Sequence, residues 1–236
     1  MPNKRFKIIF LLLILTVPGQ IKCLPQTPEH EKLTGFIGLD LASKYIWRGL
    51  KLSEGPVIQS NAELFFRRWN FGIWSLAGFS AKDCSEIDIY LSYTYKNFSL
   101  TLNDYFMFND SMVPSYTNYN KNETNHVIET IIEYSGSDSF PFRLTAGLNF
   151  FGDISNSTYF EAVWLTNAGE TEIELLAGLS PQKGYYDENK SGLNNMGGNF
   201  IRRLTINDTI ILSLKFSCIY APFIDELFIV TTLGLN

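Results

Sequence analysis

Few side chains of this sequence have types and spacings that could carry enzymatic chemistry. The two histidines are His30, in a polar segment, and His126, beside an Asn- and Tyr-rich stretch, and neither lies in a Ser/His/Asp arrangement of useful spacing. Cys84 and Cys218 belong to no CxxC motif or Cys/His cluster, so a structural zinc site is not predicted. A bridge between these two cysteines and two free thiols are both compatible with the sequence. We therefore predict no enzyme, no metal site and no cofactor; a lipid-acting enzyme that uses His126 is the alternative.

Charged side chains recur instead at every second position of short apolar stretches. In EIDIYLSYTY, Glu86 and Asp88 alternate with isoleucines, and in TIILSLKFSCIY, Lys215 alternates with leucine and phenylalanine. Because successive side chains of a β-strand point to opposite faces, each stretch predicts a strand with one apolar and one charged face. Several such charged faces together can line an aqueous path through a protein.

The charged residues on these faces are candidates for a pore lining, and acidic residues outnumber basic ones among them. They are Asp40, Lys44, Arg48, Glu63, Glu86, Asp88, Glu129, Glu133, Arg143, Glu161, Glu172, Glu174, Arg203 and Lys215. A mildly acidic lining would favour the passage of cations. The alternative is that these charges pair across the interior and only stabilise the fold.

The candidates lie on about twelve alternating segments of roughly ten residues each, separated by clusters of Gly, Asn, Asp, Ser and Pro. The segments are approximately 35–48, 57–66, 70–81, 85–95, 98–108, 125–135, 141–151, 157–166, 171–180, 198–206, 209–220 and 226–236. After the apolar run at the N-terminus, no segment shows helical periodicity. The sequence therefore predicts an all-β fold.

The connections between the segments alternate in length. Those after the second, fourth, sixth, eighth and tenth segments are tight, whereas the others include long polar loops at 109–124 and 181–197. Transmembrane β-barrels alternate in this way, and their apolar bands end in aromatic girdles, as several apolar faces do here. We therefore predict a transmembrane antiparallel β-barrel of twelve strands. A secreted sandwich or lipocalin-like barrel is the alternative, but it does not explain the aromatic strand ends.

The N-terminus predicts export from the cytoplasm. A basic start is followed by about a dozen apolar residues, IIFLLLILTVPG, which is the pattern of a secretory signal peptide. We predict a signal peptide at 1–23 with cleavage between 19 and 23, a short polar segment at 24–34 and the barrel at 35–236. Lipidation of Cys23 is the alternative, although the residues before it form a poor lipobox. The net charge of −5 argues against a nucleic-acid partner.

The stretch SKYIWRGLKLSEGPVIQ places two aromatic residues and two cations at the end of the first segment. Extending the alternation through it predicts that Tyr45 and Trp47 face lipid at the headgroup level, while Lys44 and Arg48 face the lumen. Arg48 then lies at the mouth of the barrel, where it could hold the following loop or set a constriction. A structural bridge with no effect on transport is the alternative for Arg48.

Two positions fit the alternation badly. Asp104 falls on the apolar face of its segment, which would direct a carboxylate towards lipid unless a β-bulge shifts the register. Arg202 and Arg203 are adjacent, so one of them must point outward, which is tolerable near the edge of the membrane.

The first seventy residues of the predicted barrel carry a set of motifs. The motifs are Ser43, Tyr45, Trp47, Arg48 and Gly49; Ser53, Gly55, Pro56, Ile58 and Gln59; Gly72 and Trp74; and the run 86–90. With these motifs, residues 36–105 resemble the TorF family, bacterial outer-membrane proteins described as porins. Beyond residue 105 the resemblance is one of architecture alone. The resemblance implies an outer-membrane barrel with a porin role.

We therefore predict an integral protein of the bacterial outer membrane that acts as a porin-like channel for passive diffusion of small polar or ionic solutes, with a weak cation preference. The expected partners are outer-membrane lipid, the solutes and the barrel assembly machinery, and a homo-oligomer would add further copies of the chain. The alternative is a surface barrel without a channel, which acts as a receptor or adhesin through its long loops.

Overall fold

The computed structural model describes residues 30–80, 83–108, 115–121, 123–208 and 210–235. The predicted signal peptide, its cleavage site and Cys23 lie outside these residues. Within them, no helix is long and apolar enough to cross a membrane.

The described residues form twelve long strands and one small hairpin. The strands are β1 (His30–Ala42), β2 (Ile46–Trp47), β3 (Leu50–Lys51), β4 (Val57–Arg67), β5 (Trp69–Gly78), β6 (Ser85–Tyr95), β7 (Phe98–Phe108), β8 (His126–Tyr134), β9 (Phe142–Phe151), β10 (Thr158–Ala168), β11 (Thr171–Ser180), β12 (Gly192–Thr205), β13 (Ile211–Ala221) and β14 (Glu226–Leu235). Each long strand pairs antiparallel with its neighbours in the chain, and β14 pairs with β1, so the sheet closes into a barrel of twelve strands. The β2–β3 hairpin is a separate two-stranded sheet. The predicted all-β fold, the closed antiparallel barrel and its strand number are confirmed.

The predicted segments agree with the barrel strands except at two places. The first segment was predicted to run from 35 to 48, but β1 starts at His30 and ends at Ala42, and residues 46–51 form the hairpin. The tenth segment was predicted at 198–206, but β12 begins at Gly192. Its first half is rich in Asn and Gly, which are usually depleted in strands and favour loops.

The register places apolar side chains on the outer wall of the barrel. Across β5, β6 and β7, Ile73 pairs with Ile89, and Leu91 pairs with Leu102, and all of them point outward. Near the tight turns the outer wall is aromatic, with ring centroids of Trp69 and Tyr93 4.8 Å apart. A closed barrel with an apolar outer wall fits a barrel-type outer-membrane protein.

The two ends of the barrel carry different connections. At one end, here called the turn end, β4–β5, β6–β7 and β10–β11 are joined by one or two residues. At the other, here called the loop end, β1 and β4 are joined by residues 43–56, and β11 and β12 by 181–191. The predicted alternation is not strict, because the turn-end connection 135–141 is longer than the loop-end connection 222–225.

Arg202 and Arg203 are divided between the two faces as predicted. Arg203 points inward and forms an ion pair with Glu172, whereas Arg202 points outward at the turn end and pairs with Glu170. Both pairs are substantially exposed. The outward arginine therefore lies at the edge of the apolar band.

Asp104 faces outward without a β-bulge in β7, but neighbouring residues cover its carboxyl. Its Oδ1 lies 2.8 Å from Nδ1 of His126, which neighbours it on the outer face of β8. Residues 115–121 fold back over this part of the outer wall: the hydroxyl of Tyr119 donates to Asp104 Oδ2 at 2.7 Å, and its ring stacks on the imidazole at 4.1 Å. His126 is fully buried as a result. The register of β7 has no β-bulge at Asp104, so its carboxyl faces outward as the alternation predicted, and residues 115–121 cover it.

Hydrogen-bond donors in this cluster can be counted. Nε2 of His126 lies 2.7 Å from the carbonyl oxygen of Tyr116, which can only accept, so this nitrogen carries a hydrogen. Nδ1 faces the carboxyl of Asp104, so a second proton must lie between these two groups for a hydrogen bond to form. The pair is then neutral overall, which suits an apolar surface.

We predict that Asp104→Asn loosens residues 115–121. The substitution removes charge-assisted hydrogen bonds from His126 and Tyr119, each worth about 1.5–3 kcal/mol. Hydrogen exchange of the peptide that contains 115–121, measured by mass spectrometry on the folded protein, should become about tenfold faster or more. The matched control is Glu188→Gln, an exposed carboxyl on another loop, and equal exchange in both variants would contradict the arrangement.

Candidate functional site

All fourteen predicted lining residues lie inside the barrel. Twelve of them are on strands, and the register places each on the inward face, alternating with the apolar side chains of the outer wall. The remaining two, Lys44 and Arg48, belong to the connection between β1 and β4, which enters the lumen and carries the β2–β3 hairpin.

The hairpin has a two-residue turn, Arg48–Gly49, between the paired residues Trp47 and Leu50. Both turn residues have positive φ, 49° for Arg48 and 81° for Gly49, as a type I′ turn requires. A Cβ at position 49 would overlap the backbone oxygen of Asn194, so only glycine fits there. At position 48 the backbone favours Asn, Asp or Gly, and arginine costs on the order of 1 kcal/mol or more. Interactions of the Arg48 side chain must therefore offset this conformational cost.

The side chain of Arg48 offsets the cost through hydrogen bonds to residues of the inner wall. Its guanidinium donates to both carboxylate oxygens of Glu129, at 2.6 and 3.2 Å, and to the hydroxyl of Tyr186 at 2.7 Å. The hydroxyl of Tyr105 donates to Glu129 at 2.6 Å. The side chains of Arg48 and Glu129 are 10% and 0% exposed, so this is a buried, two-pronged ion pair. Gly147 leaves room for it, since a Cβ there would overlap the Glu129 carboxylate.

Aromatic rings surround the guanidinium and complete the contact. Arg48 lies 4.7 Å from the ring centroid of Trp47 and 4.4 Å from that of Tyr159. Trp47 in turn contacts Tyr105 at 5.5 Å and Tyr186 at 5.9 Å. Cation–π contacts of a desolvated arginine are worth up to about 2 kcal/mol each. The hairpin tip is thus held at the loop end of the lumen by charge and by stacking.

The prediction that Tyr45 and Trp47 face lipid is wrong. Trp47 points into the aromatic cluster just described, and Tyr45 packs against Trp74, an inward-facing residue of β5, with ring centroids 5.6 Å apart. The physical reason is that β1 ends at Ala42, so the two-residue alternation does not continue into the hairpin. Its aromatics therefore fill the barrel and do not belong to an outer girdle.

The loop-end half of the lumen is filled by side chains. Tyr159, Asn149, Asn194 and Glu129 are almost fully buried there. The loops above interlock: Asp153 accepts backbone hydrogen bonds from Ser155 and Ser157, and Gln182 bridges to the carbonyl of Asn156. Tyr185 and Tyr186, in the loop predicted to serve surface recognition, pack inward beside Trp47.

The turn-end half is polar and more open. A cavity of about 440 Å³ lies between the hairpin and this half of the lumen. Glu133, Glu161 and Arg143 project into it from β8, β10 and β9, and Lys44 and Lys215 from the region of β1 and β13. Of these, Arg143 forms an ion pair with Glu174 at 3.1 Å. A polar space with charged walls can hold small hydrated solutes.

A second acidic group lies on β6 beside the hairpin. Glu86 and Asp88 are two residues apart on the inward face, and both are buried. One oxygen of each has no hydrogen-bond partner among the described residues. Next to them lies Cys84, in the connection that precedes β6, and burial followed by the charges of Glu86 and Asp88 raises the pKa of its thiol to about 12. Cys84 and Cys218 are both free thiols, so a bridge between them is excluded.

Four contributors to the site were missed from the sequence. Tyr105 and Tyr159 lie on polar faces, next to Asn103 and Glu161 in the alternation, and this position was the available signal that they point inward. Tyr186 and Asn195 come from a stretch interpreted as one surface loop, so no local signal identified them.

No protein-family model matches the chain, and no curated protein matches it.

We predict that Arg48→Ala destabilises the barrel by about 3–5 kcal/mol, because it leaves the Glu129 carboxylate buried without its partner. The measurement is the free energy of unfolding in urea, with the refolded protein in detergent micelles. The double variant Arg48→Met with Glu129→Gln should recover much of the loss, since no buried charge remains.

The control for this prediction is Arg202→Ala, which breaks an exposed ion pair of the same chemistry. Exposed pairs are worth about 1 kcal/mol or less, so a small effect is expected. Equal losses in Arg48→Ala and Arg202→Ala would show that the hairpin is not anchored by its arginine.

We predict that Cys84 reacts slowly with a water-soluble maleimide, because a raised pKa leaves little thiolate at neutral pH. In a background with Cys23 and Cys218 replaced by alanine, labelling at pH 8 should be roughly a hundredfold slower than at an exposed cysteine made by Glu188→Cys. Its rate should keep rising with pH above 9, where the exposed thiol levels off. A rate that levels off at the same pH in both proteins would contradict the burial of Cys84.

Proposed function

We propose that the protein is a porin-like channel of the bacterial outer membrane, through which small polar or ionic solutes diffuse passively. The observation that carries this proposal is the polar cavity with charged walls beneath the hairpin. An interior with only a structural role would be filled by side chains, as the loop-end half is. The space beneath the hairpin, about 440 Å³, has the volume to hold small solutes.

The charges inside the barrel support a weak preference for cations. Three of the five basic lining residues are neutralised, Arg48 by Glu129, Arg143 by Glu174 and Arg203 by Glu172. Apart from the buried pair Glu86 and Asp88, four acidic residues are left against Lys44 and Lys215, which form no ion pair with any described residue. The four are Asp40, Glu63, Glu133 and Glu161. An excess of unpaired carboxylates attracts cations into a narrow aqueous space.

The β2–β3 hairpin acts as the constriction in this proposal. It closes the loop end of the lumen, and Arg48 is the contact that holds it against the wall. A conformation in which Arg48 leaves Glu129 would open a path from the cavity to the loop end. The role of setting a constriction, considered for Arg48 from the sequence, is kept in this proposal, although the residue lies inside the lumen and not at its mouth.

The resemblance of residues 36–105 to the TorF family supports the same function and location. In this view the apolar outer wall contacts outer-membrane lipid, and the chain reaches the membrane by export and by the barrel assembly machinery. The turn end then faces the periplasm and the loop end faces outward, as is usual for such barrels.

The test is single-channel conductance of the refolded protein in a planar bilayer, with a gradient of KCl across it. We predict small conductance steps and a reversal potential on the side of cation preference. The double variant Glu133→Gln with Glu161→Gln should move the reversal potential towards zero, because it removes two unpaired carboxylates from the cavity wall. The control is Glu170→Gln with Glu188→Gln, which removes two charges outside the lumen.

A surface barrel that acts as a receptor or adhesin is the second candidate, and the filled loop-end half of the lumen favours it. Complete absence of conductance steps, from wild type and from a variant with the hairpin shortened, would sink the channel proposal. The loops at the loop end would then be the place to search for a binding partner.

A further inference from the structure

The cavity beneath the hairpin separates its unpaired charges onto different walls. Lys215 projects from β13, and Lys44 follows the end of β1. Neither lysine forms an ion pair with a residue in the described ranges. Asp40 lies near enough to Lys215 for electrostatic attraction, but the two do not form an ion pair. Lys44 likewise lies near enough to Glu54 for electrostatic attraction, and both lysines line the cavity on this side.

The facing wall presents carboxylates. Glu133 and Glu161 both pair in register with Thr145, so the three residues form one row across β8, β9 and β10. In the barrel order, β9 is six strands from β1, which is halfway around a closed sheet of twelve. The acidic row thus lies across the barrel from the end of β1, which Lys44 follows, and Lys215 on β13 lies three strands from Glu161 and five from Glu133.

Each carboxylate of the row keeps one oxygen without a described partner. Oε2 of Glu161 accepts from the hydroxyl of Tyr159 at 2.7 Å and from the amide of Asn195 at 3.2 Å, and Oε2 of Glu133 accepts from Thr145 at 3.4 Å. No hydrogen bond of the described residues uses either Oε1 atom. Arg143, the cation nearest to this row, is occupied by Glu174. The row is held in place by its neighbours and still able to accept hydrogen bonds.

Apolar side chains line part of the cavity beside the hairpin. Ile46 of the hairpin and Ile219 pack against the buried Val230, and Ile131 and the ring of Tyr105 line the cavity from β8 and β7. A solute in this space would find an ammonium-binding wall, a carboxylate-binding wall and an apolar surface between them.

We propose that this cavity binds a small zwitterionic solute, with its ammonium group at Glu133 and Glu161 and its carboxylate at Lys44 and Lys215. The proposal rests on the porin-like function and names the class of solute that such a channel would select. A simple cation is repelled by the lysines, and a simple anion is repelled by the glutamates. For each of them, repulsion from one wall offsets the attraction to the other. A zwitterion satisfies both walls at once.

The test compares one zwitterion with its two halves. The probes are 6-aminohexanoate, hexanoate and hexylammonium, and the measurement is a ligand-observed NMR titration of the full barrel refolded in detergent. The zwitterion should bind at least tenfold more tightly than either half. Similar affinities for all three probes would overturn the proposal.

Single substitutions test which charged group of the solute binds at which wall of the cavity. Lys215→Gln should lower the affinity for the zwitterion and for hexanoate and leave hexylammonium unaffected. Glu133→Gln should lower the affinity for the zwitterion and for hexylammonium and leave hexanoate unaffected. Lys183→Gln and Glu188→Gln, on an exposed loop, are the matched controls and should change nothing. The exchange variant Lys215→Glu with Glu133→Lys keeps a separated pair of charges and should recover part of the binding. Equal effects of both single variants on all probes would indicate a structural role alone.

Binding and transport fail independently in this design, because the titration does not require an open channel. Binding without conductance would sink the channel proposal and keep the site. Conductance without preference for the zwitterion would sink the site and keep the channel.

Discussion

The ion pair between Arg48 and Glu129 is the interaction on which the interior of this barrel depends. It joins the tip of a hairpin near the start of the chain to the wall at β8, and both side chains are withdrawn from water. Buried pairs of this kind contribute little net stability, but they fix one arrangement, because either partner alone is costly. Arg48 occupies a left-handed turn position that does not suit its backbone. The hairpin is therefore specified by a side chain, at the expense of local conformational preference.

The rest of the lumen is organised around that contact. Towards the loop end, Trp47, Tyr159 and Tyr186 stack around the guanidinium and leave little space. Towards the turn end, the described side chains leave a polar cavity beneath the hairpin. The same closed sheet thus holds a packed half and an open half. The division between them is set by how deep the hairpin reaches, since the strands run through both halves.

The strands were predictable from the sequence, whereas the hairpin was not. Alternation identified every barrel strand and placed Glu129, Glu133 and Lys215 on the inward face, because each strand has one face in contact with an apolar environment and one without. At Tyr45 and Trp47 the same rule failed, since alternation cannot distinguish a strand that continues from one that turns inward. The outward position of Asp104 was predicted correctly, but its cover was not, because alternation within a strand does not show where the following loop folds.

The most direct test of this account is the single-channel conductance of the wild-type barrel compared with a variant in which residues 46–51 are replaced by Gly-Ser-Gly. Folding of both proteins is first established by their resistance to SDS before heating. The account predicts that the shortened variant conducts several-fold more than the wild type, because the hairpin and its arginine no longer occupy the loop end of the lumen. Equal conductance in the two barrels would contradict the claim that the hairpin closes this end.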